Sequence, residues 1–163
     1  MVVVDSSALI PLIKIGKLEL LRNVFPKIVL PEPIWQEIVV EGKKLGKPVR
    51  GIEEGRGSWF TIEKIGKEIH AGENLGMTDM AVFEIARATK DVLLTNDASL
   101  YYYALSQGVK AYWLTTLLLI AVKKRKIDKN EAENTLLELV SAGGMHLKSD
   151  ILSKLVMIIR NLH

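Results

Sequence analysis

Val92-Leu93-Leu94-Thr95-Asn96-Asp97 is an unbroken apolar run that ends in a polar turn, and Val2-Val3-Val4-Asp5 has the same form near the start of the chain. Neither run alternates apolar with polar residues, as a strand with one wet face would. Continuous apolar strands belong in a parallel sheet covered on both faces. Ile28 to Leu30 is a third such run, and a weaker one ends at Tyr112. Trp59 to Ile62 reads equally as an extra strand or an extended loop. Between the runs lie segments of helical spacing: Ala8 to Ile15, Leu18 to Val24, Pro33 to Lys44, Val49 to Glu54, Met80 to Thr89, Leu100 to Gln107, Leu117 to Lys124, Glu131 to Val140 and Ile151 to Asn161. Pro31 and Pro33 mark the end of the second strand and the start of the third helix, since proline fits a helix's first turn and breaks its interior. Gly108 closes the helix before the last strand. The pattern predicts an α/β fold of three layers, α/β/α, around a central parallel sheet.

A chain of 163 residues fits one domain, and folding at that size buries roughly 68–70% of the unfolded surface. With 48% hydrophobic and 25% charged residues, the composition is that of a compact globular protein. There is no internal repeat, low-complexity tract or linker, so residues 1–163 are expected to form one domain. Cysteine is absent, which excludes disulfides, thiolate metal sites and thiol catalysis; a metal here must sit on oxygen or histidine. The start of the chain carries no export signal, and the longest apolar run, Leu114 to Val122, is too short to span a bilayer. The expectation is a cytoplasmic protein without membrane association. A net charge of +3 is compatible with a polyanionic partner but does not require one.

In open parallel sheets ligands bind beyond the carboxyl ends of the strands. Asp5 and Asp97 both follow apolar runs and occupy that place; each also reads as the cap of the helix after it. Asp79 starts a stripe continued by Val82, Phe83 and Ala86, the spacing of a buried helix face. A buried carboxylate there needs a cation, a metal or several N–H donors, although a first-turn acid satisfied by the helix dipole after Thr78 is the plainer account. Glu37 shares a flank with Ile34 and Val40, with Glu41 one turn on as its rival and an ordinary surface glutamate as the alternative. Clustered carboxylates suit Mg²⁺ or Mn²⁺, hard ions that prefer oxygen and neutralise the mutual repulsion of the acids. Such sites hydrolyse phosphodiesters with an activated water and no protein nucleophile. Ser7, Thr95 and Asn96 stand beside these acids, either to hold the carboxylates and their water or simply to form turns and caps.

Four stretches together resemble the PIN domain family: Val3-Val4-Asp5-Ser6-Ser7-Ala8-Leu9-Ile10, Pro31-Glu32-Pro33-Ile34-Trp35-Gln36-Glu37-Ile38, Leu75-Gly76-Met77-Thr78-Asp79-Met80-Ala81 and Leu93-Leu94-Thr95-Asn96-Asp97. Gly108-Val109-Lys110, Thr115 and Lys123-Lys124 resemble the family's final strand and helix, and the tail from Ile127 resembles the extra helices of one prokaryotic branch, which implies a core over 1–126 and a helical extension over 127–163. The resemblance implies a metal-binding crevice in which Asp5, Glu37, Asp79 and Asp97 are the catalytic, metal-holding acids, and ribonuclease activity dependent on Mg²⁺ or Mn²⁺. Many prokaryotic relatives are VapC-like toxins silenced by a small antitoxin, and many form homodimers. Two departures stand out. Met77 occupies the place of an additional acid, and Leu114 replaces a glycine before Thr115, which puts that threonine's role in doubt.

Lys123, Lys124, Arg125 and Lys126 form the densest basic run, with Lys43, Lys44 and Lys47 a second; each reads as a track for RNA phosphates or as a solvated helix end. Tyr101-Tyr102-Tyr103 offers stacking faces for single-stranded RNA, or rings that fill a core and an interface. His70, His146 and His163 lack metal-ligand spacing. A haloacid-dehalogenase-type phosphatase would need an aspartate where Ser7 stands, and no P-loop motif is present. The rival outside enzymology is a PIN-like module that binds RNA or protein without cutting, and within it a 5′-flap DNA nuclease. The apolar tail from Leu136 to Ile159 reads as packing on the parent domain, as a seat for an antitoxin helix, or as a dimer surface.

Overall fold

The computed structural model describes residues 1–44, 46, 55–66, 69–72 and 74–163, with the backbone alone for Glu41. The helix expected over Val49 to Glu54, Lys47 and the side chain of Glu41 lie outside the described residues.

Five strands form one parallel sheet: β1 (Val2–Val4), β2 (Ile28–Pro31), β3 (Phe60–Glu63), β4 (Val92–Thr95) and β5 (Ala111–Trp113), in the order β3-β2-β1-β4-β5. The Trp59–Ile62 ambiguity thus resolves as an edge strand, with Phe60 fully buried and paired to Ile28. Among the described residues the helices are α1 (Ser6–Lys14), α2 (Glu19–Val24), α3 (Glu32–Lys44), α4 (Met77–Thr89), α5 (Ala98–Ser106), α6 (Leu114–Lys123), α7 (Lys129–Ser141) and α8 (Ser149–Arg160). On the sheet, α4 lies against β1, β2 and β4, and α5 against β4 and β5. Around it α1 meets β4 and α3, while α2 packs on α6. The chain is therefore a three-layer α/β/α fold.

Burial explains why the strand runs do not alternate. Every residue of β1 and β2 is buried, as are Leu93, Leu94 and Thr95 of β4. Fully burying one such aliphatic side chain is worth roughly 1.5–3 kcal/mol. Gly108, at φ 75°, makes the left-handed turn between α5 and β5 that a residue with a Cβ rarely adopts.

Residues beyond 126 join the same core. Ala132, Leu136, Leu139, Met145 and Ile159 belong to the apolar cluster that holds the strands. Lys17 donates to Thr135 Oγ1 at 2.8 Å, which ties the α1–α2 turn to α7. A two-pronged Arg160–Glu133 bond, at 2.9 and 2.6 Å, fastens α8 to α7. Among the described residues no helix is long and apolar enough to cross a membrane.

The sheet's connections diverge from its centre, because β1 is flanked by β2 on one side and β4 on the other. That switch point opens a crevice at the strands' carboxyl ends. Asp5 and Asp97 lie there.

Candidate active site

The main chain fixes Asp5 first. Its N–H donates to Leu94 O at 2.9 Å, which carries the β1–β4 ladder one residue past the strand. The side chain is 3% exposed and caps α1. Its Oδ2 accepts from Ser7 N at 3.3 Å, from Thr95 Oγ1 at 3.0 Å and, in a very short bond, from Ser7 Oγ. The same hydroxyls also hold the turn after β4. Ser7 Oγ accepts from Asn96 N at 2.8 Å, and Thr95 Oγ1 accepts from Asp97 N at 3.0 Å. A hydroxyl has one hydrogen to give, and both are spent on Asp5, so the 3.1 Å contact between Ser7 and Thr95 is one of proximity. Two short relays thus bind the end of β4 to the carboxylate at the end of β1. Ser7 and Thr95 position Asp5, whereas Asn96 takes part through its backbone N–H.

Asp97 is exposed and caps α5, its Oδ1 accepting from Leu100 N at 2.8 Å. Asp79 is half-buried in the first turn of α4, which starts one turn earlier than sequence spacing predicts, and its Oδ2 accepts from Gly76 N at 3.1 Å. Capping is therefore real for all three acids, and in each the bonds fall on a single oxygen. The opposite oxygens, Oδ1 of Asp5 and Asp79 and Oδ2 of Asp97, take none of them.

Electrostatics links the three. Burial pushes the Asp5 carboxyl up from its ordinary value, bonds from Ser7 and Thr95 pull it down, and the charge of Asp79 adds to the rise. Asp79 is likewise raised, first by burial and then by the charge of Asp97, against the lowering bond from Gly76. The charge of Asp79 thus reaches Asp5, and that of Asp97 reaches Asp79. Glu37 is an exposed residue of α3 engaged in an interaction of its own. As placed, no three His, Asp or Glu side chains among the described residues are gathered closely enough to hold a metal ion. By donor chemistry the three aspartates fit a hard divalent cation, since they offer only oxygen and charge that already raises two of them.

The remaining expected residues divide. Thr115 is half-buried in the first turn of α6 and lines a cavity with Asn96. Leu114 is fully buried, so its side chain does not obstruct an approach to that threonine. Lys123 and Lys124 fall elsewhere. Helix α6 leaves the carboxyl edge at Trp113 and runs about 15 Å away from it; at the far end Lys124 donates to Val24 O at 3.0 Å, just ahead of β2. The structure does not bring this pair to the acids.

The tyrosine run splits by role. Tyr103 meets Phe83 edge-on at 4.9 Å, Tyr101 stacks on Trp113 at 4.1 Å, and Tyr102 is 64% exposed with its edge to Tyr101. Trp113 carries no motif, and only its place just past the weakest strand run hints that it reaches the crevice.

A family model described as a PIN domain matches residues 1–160. Among solved structures the fold is similar to a PilT N-terminus domain protein from the hyperthermophilic archaeon Sulfolobus solfataricus P2, at 18% identity and a TM-score of 0.56, covering 72% of this chain and 90% of that one. A domain of a functionally unknown protein from Methanocaldococcus jannaschii DSM 2661 also matches, at 23% identity and a TM-score of 0.45, over 69% of this chain and 89% of that one. No curated protein matches the chain. Strand order, the acids after β1 and β4, and a family match that runs almost from end to end agree: the chain belongs to the PIN domain family.

Proposed function

We propose that this protein is a Mg²⁺- or Mn²⁺-dependent endoribonuclease whose site is built on Asp5, Asp79 and Asp97, with Glu37 as the fourth acid. PIN domains are generally nucleases and generally use divalent metals. The observation that carries the proposal is the buried Asp5 carboxylate at the end of β1, bound through Ser7 and Thr95 to the turn after β4 that bears Asp97; the charge of Asp79 on Asp5, and of Asp97 on Asp79, accords with it. Like charges placed together at a loss to folding are a signature of function. When bound, the metal would supply an activated water and charge stabilisation for phosphodiester hydrolysis. Asp5, Asp79 and Asp97 would hold it through the carboxylate oxygens that their capping bonds leave over. Ser7 and Thr95 keep Asp5 in a single orientation, and the Asn96 and Asp97 amides bound to those hydroxyls keep the turn after β4 in step with it.

The test is cleavage of structured and single-stranded RNA, with DNA flaps alongside, in Mg²⁺ or Mn²⁺. Wild type should cut RNA; Asp5→Asn and Asp97→Asn should not; EDTA should abolish the activity. Cutting no faster than the variants would favour a second reading, a module that binds RNA or protein without cleaving, which the spacing of the acids as placed also favours. The proposal extends to a toxin restrained by a small antitoxin, and to a cytoplasmic homodimer. The exposed Leu137, Met157 and Ile158 are apolar surface suited to either partner. A short gene beside this one encoding a protein that binds the chain would support the toxin, and light scattering that reads a monomer at micromolar concentration would remove the dimer.

A further inference from the structure

A cavity of about 420 Å³ opens at the turn after β4, where α8 and the loop before it close over the start of α6. Its size falls in the ~300–1,000 Å³ range of pockets that enclose small ligands. One wall is the Trp113 ring, which also stacks on Tyr101; Ile151 and Leu155 of α8 supply further apolar lining. The polar lining is Asn96, Thr115 and His146. Among the described residues no Lys, Arg, Asp or Glu lines it, so neither a phosphate nor a metal ion is its natural occupant. An indole ring, aliphatic side chains and a few neutral groups able to donate and accept hydrogen bonds match one class of ligand best: a flat, uncharged heterocycle with a polar edge.

The cavity's place narrows the choice. Asn96 lines it and is also the residue whose N–H is held by Ser7, directly before Asp97. Whatever enters therefore meets the turn that carries Asp97. The geometry points to a subsite for one unpaired nucleobase of the RNA, flanking the phosphate to be cut, with Trp113 as its stacking face and Asn96, Thr115 and His146 reading its edge. This rests on the ribonuclease reading and adds to it a requirement for an unstacked base at one fixed position. It also gives the C-terminal helix a part in substrate choice. A side chain of a partner protein, or of a second copy, would use the apolar lining, but neither calls for three polar groups at that turn.

Binding separates this inference from the catalytic one. A labelled single-stranded oligoribonucleotide is titrated with the full chain in EDTA, and an abasic nucleotide is walked along it. Loss of a stacked base should weaken binding about tenfold at one position, and little elsewhere. Leu155→Trp, which fills the cavity, and His146→Ala, at an exposed loop residue, should each weaken the intact strand and flatten the abasic profile. A flat profile on a wild-type protein that binds and cuts RNA overturns the base subsite and leaves the nuclease standing. A chain that neither binds nor cuts RNA overturns both. If Leu155→Trp alters only the oligomeric state, the cavity belongs to a second copy and the subsite is wrong.

Discussion

The two edges of the sheet hold their charges in different ways. At the carboxyl edge Asp5 is locked by its own backbone, by two hydroxyls and by the ladder to β4. At the amino edge Lys124 rests on one carbonyl and over the Phe25 ring, and Lys123 is exposed. A residue that directly follows a strand has its position set by the sheet. A residue ten positions along a helix has its position set by how that helix packs, and its long side chain is free to choose a surface partner. On the proposed reading, substituting a residue of the first kind should cost activity, whereas charge of the second kind should be largely exchangeable.

That contrast breaks if the first substitution is harmless. Asp5→Asn should cut RNA cleavage on the order of a thousandfold, since metal-borne charge stabilisation is worth several kcal/mol and each ~1.4 kcal/mol is tenfold. Single-turnover assays at saturating metal read this directly. Thr95→Val keeps the shape and removes the hydroxyl that joins Asp97 N to Asp5 Oδ2. It should cost about 10–100-fold in metal affinity or activity, the scale of losing a partner behind a metal ligand; an unchanged metal titration would show that the relay only builds the turn. Replacing Lys123 and Lys124 by alanine should do least. Each lysine that neutralises a phosphate lowers the salt slope of RNA binding by about one, and the double variant is expected to leave the slope as it was. A lower slope would bring RNA round to the amino edge.

The same distinction governs what could be read from the chain. Apolar runs without alternation gave the central strands, and the polar residues straight after them gave Asp5 and Asp97, because both follow from local sequence. The edge strand β3 was ambiguous because Thr61 is exposed while Phe60 is buried, so the run is neither fully apolar nor cleanly alternating. Asp79 was legible through the helix stripe it starts. Glu37 stood out only by likeness to the family, since its spacing is that of any glutamate beside an apolar face. The cavity was invisible: Asn96, Trp113 and His146 meet only after α8 has folded back over α6, and nothing in their separate surroundings announces it.

Asp79 gives the most delicate comparison, between what the acids cost the fold and what they provide. Its carboxyl titrates higher in the folded chain than in the unfolded one, first because it is half-buried and next because Asp97 faces it with like charge. Between those two values the folded state holds more proton than the unfolded state, so this group's contribution to stability is complete below the unfolded value and declines as pH rises through the folded one. That is the reverse of a carboxylate held by a cationic partner. Asp79→Asn keeps an oxygen for the Gly76 N–H and removes the charge. In EDTA the variant should melt slightly above wild type at pH 7, and the gap should close as the pH is lowered through the acid range. Mn²⁺ should then turn the order round, because a ligand bound only by the folded state stabilises the chain that binds it better. A variant no more stable than wild type at pH 7 would mean that the cap on α4, rather than a share in a metal site, is what Asp79 is for.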